Sequence, residues 1–152
     1  IDGDYNDAVR ALLNAMDPGD HLLYRGLYKF LIASDLRRYP HLLEESAIAA
    51  FISREAVLEL LRRKLQRTHT GRVRKDDVIN QIRREFPTGE SFAGVLHTDW
   101  EARVIMVHPV SDFGEHWSPP VEAEECFDAV MTLTYLYRYL LLDEAWCPEK
   151  WD

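Results

Sequence analysis

The chain has 152 residues, 47% hydrophobic and 29% charged, with a formal net charge of -8. That length suits one domain with a sizeable core, and the apolar content lies far from that of disordered chains. An acidic chain does not coat duplex DNA with its whole surface, and no apolar run approaches the roughly 20 residues that span a bilayer.

Periodicity predicts six helices. The first covers 4–15 and stops at the turn Asp17-Pro18-Gly19. Asp20 suits an N-cap for a helix through Tyr39, with Leu23, Leu27, Phe30 and Leu31 as its apolar stripe and Pro40 as its stop. The third helix spans 43–66. Ile48, Phe51, Ile52, Leu58, Leu61 and Leu65 follow its 3.6-residue period, and Glu59 precedes Arg63 at i,i+4. A turn over 68–74 holds Gly71.

Asp76 or Asp77 opens the fourth helix, whose apolar face is Val78, Ile79, Ile82 and Phe86 and whose stop is Pro87. Thr88-Gly89-Glu90-Ser91 starts a fifth, running toward Val107. Its end, Val104-Ile105-Met106-Val107, is β-branched enough for a short strand, but no second strand candidate exists to pair with it, so helix is preferred. After a loop over 109–120, the sixth helix covers 122–142 with Phe127, Val130, Met131, Thr134, Tyr137 and Leu141 in register. No repeat or linker interrupts this. The pattern reads as a single all-α domain, an antiparallel bundle of five to six helices.

Cys126 and Cys147 stand far apart with no CxxC spacing, which argues against a cysteine-held zinc. With few thiols and no basic-then-apolar leader pattern, the expected compartment is the reducing cytoplasm. Charge is unevenly spread. Between Arg54 and Arg84 the basic residues Arg54, Arg62, Arg63, Lys64, Arg67, Arg72, Arg74, Lys75, Arg83 and Arg84 outnumber the carboxylates at least two to one, while both ends are acidic. Two readings stay open: a solvated helix face plus a polar turn, or a stripe that meets a polyanion. On the second, His69, Arg72 and Arg74 are candidate phosphate contacts.

The richest chemistry lies between Trp100 and Gly114. Arg103 and His108 are separated by four residues at a helix end closed by Pro109, with Ser111-Asp112-Phe113-Gly114 beyond and a long helix following. The front of the chain adds Tyr24-Arg25-Gly26-Leu27-Tyr28-Lys29-Phe30 and a long helix carrying Glu44, Glu45 and Glu55. In this layout and motif the chain resembles the HEPN superfamily (higher eukaryotes and prokaryotes nucleotide-binding domains), helical bundles whose ribonuclease members carry an Arg, four to six residues and a His beside the last long helix. The resemblance covers most of the chain in layout but only 103–109 in motif. It departs at Val104, where many active members place a polar residue.

The resemblance implies a metal-independent ribonuclease or RNA- or nucleotide-binding module, with no cofactor. His108 would move the proton of a ribose 2′-hydroxyl or leaving oxygen, and Arg103 would stabilise phosphorane charge. Ser111, His69, Arg72 and Arg74 would help bind substrate. It further implies a homodimer in which two copies of the motif meet. The alternative is a non-enzymatic helical module for a protein partner, with Arg103 paired to Glu101, Asp99 or a neighbouring carboxylate and His108 capping a helix C-terminus. The spacing also fits Arg62 or Arg63 with His69. Lower readings are His97 and His108 as metal ligands, and Tyr135, Tyr137, Tyr139, Trp100 and Trp117 as base-stacking rings rather than core aromatics.

Overall fold

The computed structural model of the chain describes residues 10, 13–87, 92–94, 96 and 121–145. Among them the regular structure is helical, with no strand, so the class is all-α. Four α-helices are complete: α1 (His21–Leu36), α2 (Leu43–Gln66), α3 (Lys75–Glu85) and α4 (Ala123–Leu142), with a 3₁₀ turn at Pro40–Leu42. Residues 13–15, 92–94 and 96 are also helical, on the segments expected to hold the first and fifth helices. The expected strand alternative at 104–107 lies outside the described residues. No helix among those described is long and apolar enough to cross a membrane.

Asp20 caps α1 as its position foretold, accepting from the Leu22 and Leu23 backbone N–H groups at 3.0 and 3.1 Å. The helix stops at Leu36, three residues short of Tyr39, and Tyr39 stands extended before Pro40. The chain then reverses, and α2 returns antiparallel to α1. Ser46 Oγ donates to the Ala33 carbonyl at 2.8 Å, and Ser53 Oγ to the Gly26 carbonyl at 2.7 Å. The two bonds are seven residues apart on each helix, so they fix one antiparallel register.

These contacts require close backbones, and the sequence supplies small residues there. Ser46, Ala49, Ala50, Ser53 and Ala56 of α2 are buried against Gly26 and Ala33 of α1. This corrects the expected apolar stripes in part: Leu23, Leu58 and Leu61 are buried as expected, but other positions are not. Ile48 is 38% exposed and Leu31 64% exposed, because the seam selects residues that let helices approach, not the largest apolar ones. Tyr24, Tyr28 and Leu31 form an exposed line on the outer face of α1.

Helix α4 runs parallel to α2: Cys126 Sγ meets the Leu43 carbonyl near one end, and Lys64 Nζ meets the Leu140 carbonyl near the other. Between them Tyr137 enters the α1–α2 seam. Its hydroxyl lies 3.0 Å from Ser53 Oγ, and because the Ser53 proton is given to Gly26, Tyr137 is the donor. Burial pushes the Tyr137 hydroxyl up to about 12, so it remains a donor. Tyr135, Tyr137 and Tyr139 are all at least nine-tenths buried, so they are core rings and not an exposed stacking platform. Phe127, expected in the core, is 45% exposed under the Arg37 guanidinium. Val130 and Tyr137 are buried as expected, and Cys126 and Leu133 complete the α4 face. Helix α3 closes the end of the bundle through Val78, Ile82 and Phe86, the last stacking on Phe92 at 4.9 Å and meeting Tyr139 edge-on at 5.3 Å.

Candidate functional site

The link between α2 and α3 is shaped by one side chain. Gln66 Nε2 donates to the Gly71 carbonyl at 2.7 Å and reaches that of His69 at 3.4 Å, while Gln66 Oε1 accepts from the Val73 N–H at 2.9 Å. Backbone groups that no helix serves are thereby satisfied. Thr68 Oγ1 donates to the Leu65 carbonyl at 3.0 Å. His69 Nδ1 lies 3.1 Å from the same carbonyl, which makes Nδ1 the donor and leaves Nε2 for other partners. Buried Val73 pins the end of the turn to the core.

Helix α3 begins on a reciprocal cap. The Asp77 carboxylate accepts from the Arg74 N–H at 2.7 Å, and the Asp77 N–H donates to the Arg74 carbonyl at 3.2 Å. Asp76 and Asp77 in the first turn and Arg83 and Arg84 in the last both match the helix dipole.

Turn and helix enclose an open groove of about 540 Å³, lined by His69 and Arg72 from the turn and by Asp77, Asn80, Arg83 and Arg84 from α3. The one carboxylate in the lining, Asp77, is occupied by the cap, so Arg72 and Arg84 do not pair with it. Arg83 Nη1 donates to Asn80 Oδ1 at 2.8 Å. Arg84 donates to the Asn80 carbonyl at 3.2 Å and to Gln81 Oε1 at 3.0 Å. Neutral partners orient the Arg84 guanidinium without cancelling its charge.

The structure divides the basic stretch into two kinds of residue. Arg62 and Arg63 share Glu59, at 2.7 and 3.0 Å, and the Arg62 hydrogen bond foremost holds the Glu59 carboxyl at about 2, well below its ordinary range. Lys64 pairs with Asp143 at 2.6 Å and Lys75 with Glu55 at 3.2 Å. Arg67, Arg72, Arg74 and Arg84 have no carboxylate partner among the described residues. Arg54 is 4% exposed and stacks over Phe51, so it belongs to the core and not to the stripe.

Of the residues singled out from sequence, His69 and Arg72 share the groove. Arg74 is exposed at the start of α3, outside the groove lining. Arg103, His108 and Ser111 lie outside the described residues, as do His97, Trp100, Trp117 and Cys147. Asn80, Arg83, Arg84 and the clamp Gln66 were not picked out as site residues. The signal for the α3 trio was present: positions 80, 83 and 84 share one helix face at i, i+3 and i+4 spacing, opposite the apolar Val78–Ile82 side. Cys126 donates to the Leu43 carbonyl at 3.3 Å, and burial raises its thiol pKa, so it is a poor nucleophile. Among the described residues no group of three or more His, Cys, Asp or Glu side chains could hold a metal ion. No family model, no curated protein and no solved structure matches the chain.

Proposed function

We propose that the chain is an RNA-binding helical protein that holds the phosphate backbone of single-stranded RNA in the groove between the α2–α3 turn and α3. The observation that carries this reading is the convergence of Arg72, Arg83, Arg84 and His69 on one open groove in a chain whose net charge is -8. Guanidinium forks match phosphate oxygens bidentately, and such contacts position a strand without reading its sequence. A duplex would ask for a cationic face along its length, and the acidic remainder of the chain opposes that. Arg103 and His108, carried over from the HEPN resemblance, would add metal-independent cleavage of the bound strand.

Fluorescence anisotropy with labelled single-stranded RNA tests the groove. Arg72→Ser and Arg84→Ser should each weaken binding about fivefold or more and leave the melting temperature unchanged, because neither guanidinium has a carboxylate to strand. The cleavage arm is an incubation in EDTA. RNA fragments ending in cyclic phosphate, lost in His108→Ala, are expected; intact RNA would leave binding without catalysis. Wild-type protein that ignores RNA at low salt would overturn the proposal. A second reading, a helical module that docks another copy of the chain, is favoured by the exposed Tyr24, Tyr28 and Leu31 line on α1. Light scattering at micromolar concentration should then give a dimer that Tyr28→Glu disperses, and a persistent monomer would exclude it.

A further inference from the structure

A smaller hollow of about 200 Å³ adjoins the groove, with Leu65 as a wall common to both. Its sides are aliphatic, from Leu61, Leu65 and Val78, and its polar groups include Gln81 and Glu85 of α3 and Tyr139 of α4. Helix α3 therefore serves two cavities from neighbouring faces. Asn80, Arg83 and Arg84 point charge and amide into the groove, while Val78, Gln81 and Glu85 line the hollow.

A chain of hydrogen bonds crosses from one to the other. Arg84 Nη2 donates to Gln81 Oε1 at 3.0 Å, Gln81 Nε2 donates to Glu85 Oε1, and Tyr139 Oη donates to Glu85 Oε2 at 2.5 Å. Both oxygens of Glu85 are thus held in place, and each keeps a lone pair for a further donor. Burial first, and the Glu85 carboxylate second, raise the Tyr139 pKa, so the phenol remains the donor in this network. The other carboxylate in the hollow, Asp143, is neutralised by Lys64 at 2.6 Å. The result is a cationic groove beside a hollow with aliphatic walls, lined also by Thr68 and Lys64, that presents one oriented and exposed carboxylate at Glu85.

Resting on the reading of the groove as a phosphate site, we infer that the hollow is a nucleobase pocket that prefers guanine. Its volume falls below the roughly 300–1,000 Å³ of pockets that take a whole ligand, which fits one flat ring system between aliphatic walls. The carboxylate selects by edge. Guanine presents N1–H and the 2-amino group side by side, two donors for two acceptor oxygens. Adenine sets one donor beside an acceptor nitrogen, and so does cytosine. Uracil offers a single N–H between two carbonyls. Only guanine satisfies both oxygens without placing a lone pair against them. The Arg84–Gln81–Glu85 chain ties the base-reading group to the phosphate-holding one and fixes their separation.

Short uridine-rich RNAs carrying one central guanosine, inosine or adenosine test the pocket by anisotropy. The guanosine strand should bind about tenfold more tightly than the adenosine strand, the scale of one bidentate base contact. Inosine, lacking the 2-amino group, should fall between them. Glu85→Gln exchanges one acceptor oxygen for an amide donor and should bring guanosine down to the adenosine level. In amide-resolved NMR of the wild type, Thr68 and Gln81 should shift more with the guanosine strand than with the adenosine strand. Equal affinity of the three strands for the wild type overturns the base pocket and leaves the groove standing, provided Arg72→Ser weakens all three alike. Failure of every strand to bind overturns the groove and the pocket together.

Discussion

Replacing Gly26 by alanine places a methyl group where three helices meet. An ideal Cβ there lies 2.3 Å from Tyr137 Oη and 2.9 Å from Ala56 Cβ. Neither neighbour yields cheaply. The Tyr137 ring is buried and tilted against Phe30 at 5.8 Å, and Ala56 Cβ moves only with the α2 backbone. Overpacking of this kind costs about 1–3 kcal/mol. Swinging Tyr137 aside breaks its bond to Ser53 and leaves a buried hydroxyl, a further loss of about 1–3 kcal/mol. Alanine returns about 1 kcal/mol of helix propensity. The expected net destabilisation is about 3 kcal/mol, a large share of the roughly 5–15 kcal/mol that holds a domain folded. Urea unfolding followed by circular dichroism measures it. Adding Tyr137→Phe to Gly26→Ala removes the nearest obstacle but not Ala56, so the double variant should regain part of the loss, with a coupling of about 0.5–3 kcal/mol. A Gly26→Ala protein as stable as the wild type, or more so, would refute the close crossing of α1, α2 and α4.

Ser46→Ala should cost only about 1 kcal/mol in the same assay, because it removes one donor to a carbonyl already bonded within α1. Phe92→Ala, at a fully buried ring stacked on Phe86, should cost about 3–5 kcal/mol, and a loss below 1 kcal/mol would contradict that packing. Glu59 supplies a pH signature: its folded pKa of about 2 lies below the ordinary 4.5, so its contribution is present above about pH 4.5 and is lost as pH falls toward 2. Since the Glu59 side chain is 36% exposed, solvent screening keeps the effect under about 1 kcal/mol. The stability gap between Glu59→Gln and wild type should close over that interval, and a gap that persists at pH 2 would contradict the assignment.

Helix positions were legible wherever a strong local signal coincided with packing. The Asp20 cap, the 43–66 helix and the stop after Phe86 each rest on caps, period or proline, and the fold kept them. Burial was less legible. Hydrophobic size pointed to Ile48, Leu31 and Phe127, but the α1–α2 seam is built from serine, alanine and glycine whose importance lies in distance, not apolarity. The small-residue spacing at 46, 49, 53 and 56 was the available clue. The site followed the same division. His69 and Arg72 lie three residues apart in one short turn and could be read together as a basic turn. Arg83 and Arg84 join them only because Gln66 folds the turn back and Val73, Val78 and Ile82 seat α3 against the core. Separating Lys64 and Arg62 from Arg72 and Arg84 required knowing where Asp143 and Glu59 stand.

The salt dependence of RNA affinity tests the phosphate groove most directly. Each arginine–phosphate contact with a single strand contributes about -0.7 to the slope of log K against log salt, so Arg72 and Arg84 together give a slope of about -1.4. Arg72→Ser and Arg84→Ser should each make that slope shallower by about 0.7, whatever the RNA sequence. A slope unchanged in both variants, or one near zero in the wild type, would contradict a phosphate-holding role for the groove.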